Sequence, residues 1–127
     1  MVVTDCRMKI GELARRADVS HRTIHFYENR GLLAPAERQG AGYRYYDEEA
    51  LARLRKIQQL KRIGLSLEEI AEVIDLYFAD DSGAKGKRRV LEILEGHLRD
   101  TDARIADLVE FRADLKANID RVRALLR

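Results

Sequence analysis

Apolar residues recur at intervals of three and four along most of the chain, and the interruptions of that rhythm divide it into elements. In "MKIGELARRA", Ile10, Leu13, Ala14 and Ala17 share one stripe, which predicts a first helix. "DVS" follows, then "HRTIHFYENR". Ser20 is a natural N-cap, and Gly31 a natural residue beyond a C-cap, since it accepts positive φ without a Cβ clash. Two short helices across a turn of this length form a helix-turn-helix. The rhythm then breaks at "LLAPAERQGAGYRYYD". Pro35 opposes helix, "QGAG" permits a tight reversal, and "YRYY" favours strand. A short two-stranded ribbon is expected, with its tip at residues 39–42.

Helical spacing resumes at Asp47, a cap for "EEALARLRKIQQLKRI", whose stripe is Leu51, Leu54, Ile57 and Leu60. Gly64 ends it. Ser66 and Glu69 form a capping box that opens "SLEEIAEVIDLYF", with Ile70, Val73, Ile74 and Tyr77 or Phe78 facing inward. "ADDSGAKGK" reads as a loop. One long helix is expected over about 87–126, on the order of 60 Å at 1.5 Å per residue. A strict heptad places positions 91, 94, 98, 101, 105, 108, 112, 115, 119, 122 and 126 on one seam. All are Leu, Ile or Val except Thr101 and Arg112. Such a seam argues for a coiled coil with a partner helix, through Leu91, Leu94, Leu98, Ile105, Leu108, Leu115, Ile119 and Val122. The competing arrangement is a helix folded back on its own head. The expected fold is all-α with a small β-ribbon. A winged helix-turn-helix head covers residues 1–78, a loop 79–86 and a coiled-coil dimerisation helix 87–127.

Composition narrows the picture. Hydrophobic residues make up 46% of the 127 residues and charged ones 36%, a foldable balance, and the single proline favours long helices. Cys6 is the one cysteine, so an intramolecular disulfide is excluded. No apolar run approaches the roughly 18 residues of a membrane helix, and the N-terminus lacks a signal-peptide core. A soluble, cytoplasmic protein is expected. Net charge is only +2, but it is unevenly placed. Residues 7–62 carry 13 Lys/Arg and 7 Asp/Glu, whereas 68–81 carry six acids and no base. A basic head suits a polyanion, although chance clustering on a solvated face would look the same.

The ordered set "TI-x-FYE-x-x-GLL", "GYRYY" and "IGLSLEEI", followed by a terminal helix, resembles the MerR family of bacterial transcription regulators from about Lys9 to Ile74. The resemblance is to a short member without a C-terminal effector domain. It implies a homodimer with an antiparallel dimer helix that binds an inverted repeat in double-stranded promoter DNA. It further implies distortion of that DNA, so that RNA polymerase can engage it. The physics of the parts agrees. The N-terminal end of a recognition helix enters the major groove, and here it offers Ser20, His21, Arg22 and Thr23. Ile24 and, in part, Phe26 are expected in the core. The family match carries a DNA role onto His25, where many members have arginine, and onto Tyr27 at the DNA backbone. The ribbon needs no catalytic machinery: Arg38 and Arg44 suit phosphate, and Tyr43 and Tyr46 add hydroxyls, while Tyr45 is expected in the core. Lys61 and Arg62 resemble the family's second phosphate contact.

Other chemistries find little support. His21, His25 and His97 show no ligand spacing with each other or with Cys6, so no metal site or cofactor is expected. There is no phosphate loop and no nucleophile with a supporting base, so no enzyme is expected. A small-molecule effector near residues 79–86, Tyr77, Phe78 or Phe111 competes with simple packing of those aromatics. Two further classes stay open: a helical protein-interaction module, and a nonspecific architectural DNA binder.

Overall fold

The computed structural model of the chain describes residues 7–34, 37–39 and 43–127, with 37–39, 43 and 44 described by their backbone alone. Cys6, Pro35, Gly40 and Gly42 lie outside the described residues, as do the side chains of Arg38, Tyr43 and Arg44. The chain divides into two units, Met1–Val90 and Leu91–Arg127.

In the first unit, helix α1 spans Ile10–Ala17 and α2 spans His21–Asn29. Strands β1, Glu37–Gln39, and β2, Tyr43–Tyr45, precede α3, Glu48–Arg62, and α4, Leu67–Tyr77. The strands pair antiparallel with Arg38 opposite Arg44. The first helix starts at Ile10, the first residue of its apolar stripe and two residues into the segment "MKIGELARRA" expected to form it. Met8 is instead bridged to Tyr46, each backbone N–H donating to the other's carbonyl at 2.7 Å.

Local chemistry accounts for the helix ends. The Ser20 hydroxyl accepts from the Thr23 N–H at 3.0 Å, and the Asp47 carboxylate accepts from the Ala50 N–H at 2.9 Å. Ser66 and Glu69 complete the capping box in both directions. At the other ends, Leu32 N–H donates to the Tyr27 carbonyl across Gly31, and Leu65 N–H to that of Leu60 across Gly64. Both glycines have positive φ, which these closing motifs demand. Asp18 takes the same role after α1 at φ 57°, where a side chain is strained.

The core is the set of stripes the spacing indicates. Leu13, Ile24, Leu51, Leu54, Ile57, Leu60, Ile70, Val73 and Ile74 are all buried. Helix α3 packs on both α1 and α4, and α1 packs on α2, so the helix-turn-helix is seated on the long third helix. Ion pairs fasten the outside: Arg16 to Glu48 at 3.2 Å, and Arg53 to Asp75 at 2.7 Å.

The final helix, α5, spans Ala84–Leu125 and starts three residues before the expected Lys87. The Asp80 carboxylate accepts from the Ser82 hydroxyl and the Gly83 N–H, both at 2.8 Å. The Ser82 hydroxyl accepts in turn from the Ala84 N–H at 3.1 Å, so the helix entry is already closed there. The Ser82 hydroxyl, and after it the Gly83 N–H, hold the Asp80 carboxyl below its ordinary pKa.

The Tyr77 ring lies against Gly86 and leaves no room for a side chain there, and burial pushes that phenol above its ordinary pKa. A Cβ on Gly86 would sit 2.5 Å from Tyr77 Cδ2. The Lys56 ammonium stands 4.6 Å from the centre of the same ring. Gly86→Ala is therefore expected to destabilise the head by about 1–3 kcal/mol through overpacking. That clash outweighs the gain of roughly 1 kcal/mol that alanine normally brings to a helix. In a Tyr77→Ala background the sign should reverse. A double-mutant cycle by urea unfolding reads this, and equal effects in both backgrounds would refute the ring contact.

The second unit is the rest of α5. From Thr101 onward every residue is exposed, including Ile105, Leu108, Leu115, Ile119 and Val122. Leu91 and Leu98 are exposed as well, and Leu94 is half-buried.

Candidate nucleic-acid interface

Helix α2 is anchored on one side by Ile24 and Tyr27, both buried. The period of 3.6 then turns His21, Arg22, His25, Phe26 and Asn29 outward, and all five are exposed. Ser20 and Thr23 are tied together: besides the N-cap bond, their hydroxyls lie 3.0 Å apart. They build the helix start, while His21 and Arg22 project from it. With the Thr23 N–H taken by the cap, the remaining N–H groups of the helix start also favour an anion.

Tyr27 is 1% exposed, so its ring belongs to the core and not to an outer surface. Its hydroxyl donates to Gln58 Oε1 at 3.0 Å and accepts from Lys61 Nζ at 3.4 Å. Phe26, expected partly in the core, is 40% exposed and has the Arg30 guanidinium 4.6 Å from its ring centre. The cation–π contact lets an aromatic face stay outside.

At the end of α3, Lys61 and Arg62 are exposed, and the Arg62 Nε–H donates to the Gln58 carbonyl at 3.4 Å. With Gln58, Ala17 and Asp18 they line an open cleft of about 470 Å³. Two cations at a helix C-terminus are favoured by the helix dipole. The family resemblance pointed to Lys61 and Arg62 but not to Gln58, which is one turn earlier and holds the Tyr27 hydroxyl. Helical i, i+3 and i, i+4 spacing was the available signal.

The ribbon corrects one placement. Tyr46, expected as an outward hydroxyl, is 3% exposed, and Tyr45, expected in the core, is half-buried. Alternation tells which residues share a face of a strand but not which face is inward. The Met8 bridge draws Tyr46 inward, and its hydroxyl donates to Glu28 Oε2 at 2.9 Å. Among the described residues, no group of three or more His, Cys, Asp or Glu is arranged to hold a metal ion. No described helix is long and apolar enough to cross a membrane.

Residues 8–76 match the family described as MerR HTH family regulatory protein, and residues 51–117 match the one described as MerR, DNA binding. The nodulation protein NolA of Bradyrhizobium sp. (strain NC92) is 33% identical over 129 residues, covering 94% of this chain and 50% of that protein. The chain thus spans about half the length of the NolA proteins it matches. Among solved structures, the lead(II) complex of the transcription regulator PbrR691 from Ralstonia metallidurans CH34 superposes with a TM-score of 0.68. It is 29% identical, over 86% of this chain and 84% of that one. HiNmlR, a regulator lacking the sensor domain and bound to promoter DNA, gives a TM-score of 0.55 at 25% identity. The match covers 83% of this chain and 77% of that one.

Proposed function

The chain belongs to the MerR family of helix-turn-helix regulators, and from that premise we propose that it regulates transcription by binding an inverted repeat in promoter DNA as a homodimer. The observation that carries the reading is the exposed start of α2, with His21 and Arg22 free of the cap that Ser20 and Thr23 build. The cationic cleft at Lys61 and Arg62 supports it from the same head. In this reading the N-terminal turn of α2 enters the major groove. Arg22 reads a base edge, with guanine as its best match. Lys61 and Arg62 grip phosphate on one flank, and Arg38, Tyr43 and Arg44 of the β1–β2 ribbon, acting as a wing, grip it on the other.

The exposed apolar stripe of α5 supplies the dimer contact, as an antiparallel coiled coil between two copies. Two heads related by a two-fold axis call for a two-fold site. Bending or untwisting the intervening DNA costs several kcal/mol, which the phosphate contacts offset, and RNA polymerase then engages the reshaped promoter. The HiNmlR structure supports the partner, since that protein is bound to promoter DNA. The protein works in the cytoplasm, without catalysis of its own.

Selection of duplexes from a random pool, followed by sequencing, tests the reading. An enriched inverted repeat is the expected result, and binding without enrichment would replace it by an architectural role. On the selected duplex, Arg22→Ala should cost about 1–3 kcal/mol per head and relax the preference at one base pair of each half-site. Lys61→Ala should weaken all sequences alike and lower the salt slope by roughly one unit per head. A uniform loss from Arg22→Ala would move that residue from base reading to phosphate.

A further inference from the structure

His25 is 51% exposed on the outer side of α2, and its Nδ1 lies 3.1 Å from Oε1 of Glu28. Glu28 is only 8% exposed, and its other oxygen, Oε2, accepts the Tyr46 hydroxyl at 2.9 Å. Tyr46 is itself buried and pinned to Met8 by backbone hydrogen bonds in both directions. The row His25–Glu28–Tyr46 therefore runs from the surface of the recognition helix to a fixed point in the core. An ionised carboxylate can only accept. Nδ1, facing it, must carry a hydrogen, and Nε2 is the ring nitrogen left for an outside partner. In a neutral ring that Nε2 is an acceptor, and a phosphate oxygen is an acceptor too.

Resting on the reading of α2 as the DNA-facing helix, we propose that Glu28, held by Tyr46, is a positioning residue that locks His25 with Nε2 outward and makes its contact with a DNA phosphate proton-linked. Neutral His25 meets phosphate with a lone pair. The imidazolium meets it with an N–H while keeping its second N–H on Glu28. The proton comes from solvent, and no covalent bond changes. Among the described residues, the titratable groups facing His25 are Glu28 on its own helix and, through Glu28, Tyr46 from the segment after β2. His21 and Arg22 lie one turn earlier on α2. The DNA-bound state holds the extra proton, so affinity is present at low pH and is lost as pH rises.

Two measurements in a His21→Asn background test this. Nitrogen NMR of the free protein, at alkaline pH where the ring is unprotonated, reads the tautomer of His25. Fluorescence anisotropy with a mixed-sequence duplex long enough for both heads, at fixed salt, reads affinity against pH. The expected tautomer is Nδ1–H. In Glu28→Gln the Tyr46 hydroxyl holds the amide oxygen, the amide N–H₂ turns to the ring, and the proton moves to Nε2. Affinity should fall on the order of tenfold per pH unit for each proton released. His25→Arg should abolish that slope, and Glu28→Gln should flatten it. An Nε2–H tautomer in the parent protein overturns the lock. An Nδ1–H tautomer with the same pH profile for the parent and His25→Arg overturns the phosphate link alone. Failure of both to bind any duplex overturns the DNA-facing reading of α2 and the proposal with it.

Discussion

Replacing Ile105 and Leu108 together by glutamate should split the dimer into monomers and weaken binding to a two-headed operator by on the order of 10²–10⁴-fold, the factor lost when two linked heads act singly. Leu108 is 66% exposed in the single chain, and its neighbours on the seam are nearly as open. Burying one such side chain is worth about 1.5–3 kcal/mol, and the two substitutions act on both copies, so four burials are lost. Four carboxylates brought onto an apolar seam add repulsion. The head should keep its own stability, because Ile105 and Leu108 are not among the buried residues. Sedimentation gives the mass and anisotropy the affinity. Asp107→Lys, off the seam, is the control and should leave both unchanged. A double variant that remains dimeric at low micromolar concentration would place the partner contact elsewhere on α5.

Tyr46→Ala should cost about 3–5 kcal/mol of unfolding free energy, the range for emptying an aromatic site in a core. Tyr46→Phe keeps the ring and loses the bond to the Glu28 carboxylate, so about 1.5–3 kcal/mol is expected there. Tyr45→Ala, at a half-buried position, should cost less than Tyr46→Ala. Urea unfolding followed by far-UV circular dichroism separates the three. If Tyr46→Ala were as stable as the parent but lost affinity for DNA, the outward phosphate role for Tyr46 would return.

These two predictions mark the edge of what the amino-acid order reveals. The heptad seam of α5 is written in spacing, and so are the caps at Ser20, Asp47 and Ser66 and the stops at Gly31 and Gly64. Each arises between residues three or four apart, where helical geometry alone decides who meets. The stripes of α3 and α4 follow the same rule, and Leu51, Leu54, Ile57, Ile70, Val73 and Ile74 are buried as expected. The family motif needed only that order, since it is itself a string of local signals.

The candidate interface was legible in part. His21 and Arg22 project from the start of α2, as their place after an N-cap implies. Lys61 and Arg62 are exposed at a helix end. The cleft they share with Ala17 and Asp18 was not legible, because it depends on how α1 lies across α3. Nor did charge counting reveal that Arg16 and Arg53 are paired with Glu48 and Asp75, residues far along the chain.

The amino-acid order by itself determined where α2 and α3 begin and end, where α4 begins, which faces are apolar, and that one long helix carries an apolar seam. These are decisions of backbone sterics, capping hydrogen bonds and burial periodicity, all acting within a turn or two. Packing decided the rest. Tyr46 and not Tyr45 turns inward because Met8 pairs with it, and Glu28 becomes a nearly buried carboxylate linking His25 to that tyrosine. The Met8–Tyr46 and Glu28–Tyr46 contacts join residues 18 or more positions apart, and their choice rests on the shape of the assembled core, which no local period encodes.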